Sequence, residues 1–192
     1  KRVGIVTTTG GGGAMVVESL SGSDIEIVDP GLSIKKIMQE NNIAFNNNKL
    51  VDLTIAGTKP EIVNEVISQM MKNKNCDLVV MVVGSSAKFR PEQAVEPLLK
   101  WANYPKPLAV YVAPDAPEAL TLLHKNNIAC FRTPESCAES VKTFLNTKNP
   151  VKPKILKNDL SNISKKLKKN ISKNLSEEEA LEIFKDIGIQ IV

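Results

Sequence analysis

The sequence predicts an α/β fold in which helices cover both faces of a parallel β-sheet. Short apolar, β-branched segments alternate along the chain with longer segments of amphipathic character. Residues 77–83, with the sequence DLVVMVV, have the continuous apolar character of a strand that is buried on both faces. Such alternation is typical of parallel sheets with right-handed helical connections. We therefore expect a doubly wound sheet of five strands in the flavodoxin-like order 2-1-3-4-5.

The first part of the chain predicts two strands and three helices. Val and Ile, which favour strands, dominate the two strand segments, and Ser33 is a suitable N-cap for the second helix. Pro60 opens the third helix, in which apolar residues recur every three or four positions. The predicted order is strand 3–7, helix 14–20, strand 24–28, helix 33–41, loop 46–48, a short extended piece 51–55 that ends at Gly57, and helix 60–72.

The second part of the chain continues the same alternation. Each of its three predicted helices begins at a proline, the residue favoured at the first helical position. Its strands are again short and apolar. The predicted order is strand 77–83, helix 91–101, strand 107–113, helix 117–125, strand 128–131 and helix 134–145.

Four consecutive glycines at positions 10–13 lie between the first predicted strand and the first predicted helix. Glycine carries a high cost in backbone entropy, so this run needs a physical reason. One is an anion site, where backbone N–H groups and the helix dipole hold a phosphate or carboxylate. The other is a tight turn that packs closely on the sheet. No Lys-Ser or Lys-Thr pair follows the glycines, and Met15 and Val16 stand where a dinucleotide-binding pattern needs Gly or Ala.

The carboxyl edge of the predicted sheet is the expected location of a ligand, because doubly wound sheets bind ligands where the strand order reverses. A second small, hydroxyl-rich loop, at 84–87, would lie beside the glycine-rich turn there. Two such loops together favour the anion site. The predicted phosphate-binding residues are Thr8, Thr9, Gly10, Gly11, Gly12, Gly13, Ser85 and Ser86. Possible substrate contacts are Asp52, Lys88, Arg90 and Asp115, for which a turn or a solvated surface is the ordinary alternative.

The composition argues against several other classes of function. The three cysteines lack metal-binding spacing and the single histidine, His124, ends a predicted helix, so we expect neither a metal site nor a catalytic residue. Free thiols favour a reducing, cytoplasmic setting. No apolar window is long enough to span a membrane. The net charge of +4 comes from residues 151–175, which hold eight Lys and one Asp but no aromatic residue, as in a solvated linker rather than a nucleic-acid interface.

The end of the chain predicts a change of domain. Residues 148–175 have the composition of a linker, and we expect 151–175 to be more mobile than the core. A capping box at Ser176 and Glu179 opens a helix over 180–185, Gly188 ends it, and a strand is expected from Ile189. Because the chain also starts on a strand and without Met, we expect it to be a piece of a longer protein.

Several segments, taken together and in order, carry a resemblance. They are RVGIVTTTGGGGAMVVESL, VDLTIAGT, VVMVVGSSAKFRPEQAVEPLL, KPLAVYVAPDAPEALTLL and FRTPESCAESV. They resemble the second succinyl-CoA-ligase-like flavodoxin domain of NDP-forming (ADP-forming) acyl-CoA synthetases, and most of all the members that act on aryl acids such as ferulate. This resemblance covers Arg2 to about Leu145. The segment LSEEEALEIFKDIGIQIV resembles the lead-in to the ATP-grasp domain of the same enzymes.

The resemblance implies a division into a flavodoxin-like domain at 1–147, a linker at 148–175 and the start of an ATP-grasp domain at 176–192. It implies an acid–thiol ligase that joins a carboxylic acid to CoA with ATP or ADP and Mg²⁺, through an acyl phosphate and a phosphohistidine. The glycine-rich helix N-terminus would hold the phosphoryl group. The CoA-binding, phosphohistidine and ATP-grasp domains of the same enzyme would be its partners, and a homo-oligomer is compatible with this organisation.

One departure from the family pattern limits what this chain does alone. The Ser-His-Thr-Gly motif of the phosphohistidine is absent. We therefore expect the 192-residue chain to be inactive by itself and to bind no cofactor tightly. Two alternatives stay open: a degenerate copy of this architecture in a regulatory protein acyltransferase, and a stand-alone phosphate-binding flavodoxin-like module. The acid and the choice between ATP and GTP are not specified by these residues.

Overall fold

A parallel β-sheet forms the centre of residues Lys1–Thr147, the first of the two units into which the chain divides; the second is Lys148–Val192. The computed structural model describes residues 1–45, 49–54, 56, 59–147, 161–169 and 174–190. The strands follow the order β2-β1-β4-β5-β6, and β3 also pairs with β1. Their bounds are β1 Arg2–Thr7, β2 Glu26–Ile27, β3 Val51–Asp52, β4 Leu78–Val83, β5 Leu108–Val112 and β6 Ala129–Phe131.

Two short strands share one edge of β1. β2 pairs with its first residues, where Val3 lies opposite Ile27, and β3 pairs with its last residues, where Thr7 lies opposite Asp52. Within the described residues the sheet therefore has six strands. The prediction of five strands was wrong because it did not include β3. A paired segment of two residues is too short for hydrophobic periodicity to distinguish it from an extended loop.

Seven helices lie in the described part of the first unit; six occur between strands, and the seventh follows β6. The largest difference from the prediction is in the first, which begins at Gly10 rather than at residue 14, so that the four glycines form its first turn. A helix of four residues after β4 was not predicted, because so short a segment has no periodic signal. The bounds are α1 Gly10–Leu20, α2 Leu32–Glu40, α3 Pro60–Lys72, α4 Ser86–Phe89, α5 Pro91–Leu99, α6 Pro117–Lys125 and α7 Pro134–Asn146.

The sheet separates two hydrophobic layers, and β4 shows how. All six of its residues are buried, and they alternate between the two faces. Val79, Met81 and Val83 join the larger layer, which holds the apolar faces of α2, α3, α5 and α6. Leu78, Val80 and Val82 join the smaller layer with α1 and α7. Helices on both faces of a parallel sheet confirm the predicted fold class, α/β.

The second unit contains α8 Ser161–Lys169 and α9 Glu177–Asp186. The capping box is confirmed, because the Ser176 side chain accepts a hydrogen bond from Glu179 N at 3.2 Å and Glu179 Oε2 accepts one from Ser176 N at 2.8 Å. α8 lies inside the predicted linker. The predicted mobility of 151–175 falls largely outside the described residues, as does the end of the strand expected from Ile189. No helix in the described part of the chain is long and apolar enough to cross a membrane.

Candidate functional site

The loops that follow β1 and β4 are in contact at the carboxyl edge of the sheet. Gly84 N donates a hydrogen bond of 2.9 Å to Thr8 Oγ1, and Thr8 N donates one of 2.9 Å to Val82 O. A Cβ atom on residue 84 would lie 3.0 Å from Thr8 O, so this close approach favours glycine. The structure thus brings together the two loops that carry the predicted phosphate-binding residues. The Thr8 hydroxyl itself is occupied in joining them.

The N-terminus of α1 lies in the first of these loops and is not capped. Thr9 is the N-cap residue in extended conformation, and its side chain makes no capping hydrogen bond. The turn is held instead by Thr7, whose Oγ1 donates to Thr9 O at 2.7 Å and accepts from Thr9 N at 3.0 Å. The first N–H groups of a helix have no acceptor within the helix. Those of α1 therefore form a positive end that a negative oxygen could occupy.

The four glycines of this first turn have different surroundings. None has the positive φ at which glycine is required, in contrast to Gly22, Gly31 and Gly188. Within the turn, the glycines differ in the space around them. A Cβ on residue 12 would lie 2.9 Å from Thr9 Cγ2, and a Cβ on residue 13 would lie 2.8 Å from Thr7 Cγ2, whereas a Cβ on residue 11 would have no atom within 4 Å. Packing therefore requires the buried glycines at 12 and 13, and open space lies in front of position 11.

Asp52, a predicted substrate contact, lies beside the first glycine of α1. Its Oδ2 would be 2.7 Å from a Cβ on Gly10, and its Oδ1 accepts a hydrogen bond of 2.9 Å from Thr54 N. The carboxylate thus interacts favourably with the positive end of the helix. It also repels another anion on that side, so that the open part of the helix end is the side of Gly11.

Ser85 and Ser86 lie at the start of α4, directly after Gly84, which contacts Thr8 of the other loop. Ser85 is the N-cap residue of α4, and its side chain makes no capping hydrogen bond. Neither hydroxyl has a hydrogen-bond partner among the described residues, so both can bind a ligand. Lys88, in the same short helix, is exposed. Its ammonium can attract an anion to this edge of the sheet, although no hydrogen bond or ion pair with a described residue holds the side chain in one orientation.

A cavity of about 320 Å³ opens beside α4. Its polar lining residues are Thr8, Ser85, Ser86, Arg90 and Gln93. Its wall is mainly apolar and comes from α3, α4 and α5, with Pro60, Val63, Phe89, Ala94 and Pro97. All of these polar residues except Gln93 were predicted as site residues from the sequence. The apolar wall was not predicted, because its positions carry the same signal as ordinary core positions.

Asp115, the remaining predicted contact, is engaged in an ion pair. Both of its carboxylate oxygens accept hydrogen bonds of 2.8 Å from Nη1 of Arg132, and both side chains are exposed by about half. A substrate would have to compete with Arg132 for this carboxylate. Sequence analysis did not select Arg132, which follows β6 and could have been found from its position at the same edge of the sheet.

The remaining chemically active side chains do not form a site. No three His, Cys, Asp or Glu residues come together to hold a metal ion within the described part of the chain. His124 is exposed in the last turn of α6. Cys137 is completely buried, and burial raises the pKa of its thiol to about 12, which makes it a poor nucleophile at neutral pH.

Comparison with known proteins gives matches only at the level of structure. No protein-family model and no curated protein sequence matches the chain. The crystal structure of PH0766 from Pyrococcus horikoshii OT3 matches with a TM-score of 0.62 and 19% identity, over 75% of this chain and 35% of that one.

Two structures of dinucleotide-forming acetyl-coenzyme A synthetase 1 from Candidatus Korarchaeum cryptofilum also match. The complex with phosphate and ADP has a TM-score of 0.60 and 21% identity, and the apo form 0.58 and 20%; each match covers 75% of this chain and 32% of that one. The chain thus spans about a third of the length of the structures it matches. At these identities the likeness is one of fold, which three quarters of this chain shares with about a third of an acetyl-coenzyme A synthetase.

Proposed function

We propose that this chain is a module of an NDP-forming acyl-CoA synthetase that joins a carboxylic acid to CoA with ATP or ADP, through acyl-phosphate and phosphohistidine intermediates. The observation that carries the proposal is the uncapped N-terminus of α1, in a loop that a hydrogen bond from Gly84 N to Thr8 Oγ1 joins to the loop with the free hydroxyls of Ser85 and Ser86. The fold shared with an acetyl-coenzyme A synthetase crystallised with phosphate and ADP supports the proposal. The chain spans 32% of that enzyme, which is consistent with one module of a larger protein.

In this proposal the first turn of α1 holds the phosphoryl group. The amides of Gly11 and Gly12 donate hydrogen bonds to its oxygens, and the open space at Gly11 admits it. The Ser85 and Ser86 hydroxyls donate from the opposite side. Each hydrogen bond to a charged oxygen stabilises the complex by about 1.5–3 kcal/mol. Because the Thr8–Gly84 hydrogen bond already fixes the two loops, the donors need little reorganisation when the group arrives.

The other components of the reaction belong, in this proposal, to the rest of a cytoplasmic enzyme. The described residues contain no cluster that fits Mg²⁺, so we derive no step of this chain through a metal. We assign CoA, the nucleotide and the phosphohistidine to neighbouring domains. Residues 148–175 would link this module to an ATP-grasp domain that begins at 176–192, where the capping box of α9 marks the start of a helix.

The test compares two substitutions at one position in the full-length gene product that contains this chain. Gly11→Val fills the open space in front of the helix end, whereas Gly11→Ala adds only one methyl group. We expect Gly11→Val to slow phosphoenzyme formation at least tenfold, measured by rapid quench with labelled ATP, because a lost hydrogen bond to a charged oxygen is worth about 1.5–3 kcal/mol. Nucleotide affinity should stay unchanged, since that site lies in another domain.

The outcome also discriminates between functions. Phosphoenzyme formation by Gly11→Val at the rate of Gly11→Ala, with normal melting of both, would leave the glycines as a packing turn only. An intact protein that transfers acyl groups to lysines, and forms no acyl-CoA from acid, CoA and nucleotide, would favour the regulatory acyltransferase. Acyl-CoA formation by the purified 192-residue chain would contradict the prediction that it is inactive alone.

A further inference from the structure

We propose that the cavity beside α4 binds a monocarboxylic acid with a compact apolar body, whose carboxylate faces Arg90 and whose body lies against Val63, Phe89, Ala94 and Pro97. As the acid substrate of a ligase this inference rests on the proposed function, but binding itself can be tested without it. It assigns a substrate class that the fold alone does not specify.

The charge of the cavity selects for an anion. Among the described residues that line it, Arg90 is the only ionisable one, and none of them is acidic. The chain has three arginines: Arg2 pairs with Asp77 at 2.7 Å and Arg132 pairs with Asp115 at 2.8 Å. Arg90 has no ion-pair partner among the described residues. Its planar guanidinium can donate two parallel hydrogen bonds to one carboxylate.

The wall of the cavity selects for an apolar body. Val63 is almost completely buried, Ala94 is half-buried, and Phe89 is 78% exposed at the rim. A bound apolar group would remove part of this Phe89 surface from water, which favours binding in proportion to the area covered. Inorganic phosphate or acetate would leave the wall uncovered. A dicarboxylate would bring a second charge against it with no cation to pair.

The size of the cavity limits the ligand. Its volume of about 320 Å³ lies at the lower end of the range for small-molecule pockets, about 300–1,000 Å³. It therefore suits a small acid rather than CoA or a nucleotide. Ser85 and Ser86, which the proposed function assigns to the phosphoryl site, line the same cavity as Arg90. A carboxylate there would be close to the group with which it forms an acyl phosphate.

The test uses the 192-residue chain and three probes in ¹H–¹⁵N NMR titrations: benzoate, benzamide and acetate. Benzamide has the shape of benzoate without its charge, and acetate has the charge without the apolar body. We expect benzoate to shift the amide signals of Phe89, Arg90 and Ala94 and to bind at least tenfold more tightly than either of the other probes.

Matched variants locate the binding. Arg90→Gln should weaken benzoate binding about tenfold, since a hydrogen bond between charged groups is lost. Lys125→Gln removes the same charge from an exposed position of α6 outside the cavity and should leave the Kd within twofold. Ala94→Leu should abolish binding by filling the cavity from a half-buried position. Thermal melting of each variant shows whether it is folded.

Each outcome decides the inference. It is overturned if benzoate shifts no signals at the cavity, if benzamide binds as tightly as benzoate, or if Arg90→Gln and Lys125→Gln have equal effects in folded proteins. Benzoate binding together with a full-length protein that makes no acyl-CoA would refute the proposed function and leave the cavity assignment standing. Acyl-CoA synthesis by the full-length protein, without benzoate binding by this chain, would refute the cavity assignment and leave the proposed function standing.

Discussion

Replacing Gly13 by Ala tests whether packing explains the second half of the glycine run. The added Cβ would lie 2.8 Å from Thr7 Cγ2 and 3.2 Å from Leu50 Cδ2, and Thr7 cannot easily move because its hydroxyl makes two hydrogen bonds to Thr9. Overpacking of this kind costs about 1–3 kcal/mol. The helix gains up to about 1 kcal/mol from replacing glycine, which offsets only part of the cost.

Gly11→Ala is the matched control, because position 11 belongs to the same turn and has no atom within 4 Å. The gain in helix propensity is similar in both variants, so the difference between them isolates the packing cost of about 1–3 kcal/mol. For a unit of 147 residues this corresponds to a difference in Tm of about 4 °C for each kcal/mol. Gly11→Ala should be as stable as the wild type or slightly more stable, and Gly13→Ala clearly less.

The assay is urea unfolding followed by the fluorescence of Trp101, the only tryptophan of the chain, which is buried in the first unit. Equal m-values for the two variants and the wild type would show that the midpoints report stability alone. The reasoning is refuted if Gly13→Ala unfolds at the same or a higher urea concentration than Gly11→Ala. The contacts of Gly13 would then be too easily relaxed to require glycine.

Three further measurements address other parts of the molecule. Arg2 donates hydrogen bonds to Asp77, which lower the pKa of that carboxyl. The stabilisation by this pair is therefore complete above about pH 4 and lost as the pH falls through the folded pKa. Asp77→Asn should remove this stabilisation, which is less than about 1 kcal/mol, as measured by acid titrations of stability. Iodoacetamide should modify half-buried Cys130 before Cys137, as mass spectrometry of peptides would reveal, and the reverse order would contradict the burial. Ser176→Ala should destabilise α9 by about 1 kcal/mol, visible as lower helicity in the ¹³C shifts of 177–186, and unchanged shifts would contradict the role of the capping box.

The fold class could be predicted because long, periodic elements dominate it. Residues 78–83 and the apolar face of α3 each specify burial through their own pattern, and the structure places both as expected. The start of α1 could not be predicted, because glycine has low helix propensity and here forms a helical turn for a tertiary reason. Contacts with Thr7 and Val82 decide that conformation, and they come from the sheet rather than from the neighbouring sequence.

The candidate site could be predicted in part for a similar reason. Strand topology alone brings the Thr8 and Gly84 loops to the same edge, so residues on them could be named from the sequence. The apolar wall of the cavity and the partner of Asp115 depend on how α4, α5 and β6 end, and no local pattern reports such distances. The ion pair between Asp115 and Arg132 was therefore not predicted, although the position of Arg132 directly after β6 places both residues at the same edge of the sheet.

The short strand β3 gives core residues indirect control over a charge. Val51 and Leu53 are almost completely buried in the larger layer, and Asp52 between them projects to the opposite face, where it meets Gly10. The position of this carboxylate is thus set by two apolar side chains that have no polar chemistry of their own. Shortening either one would shift a negative charge relative to the helix end, so that the electrostatic potential at this edge can be adjusted by substitutions within the hydrophobic interior.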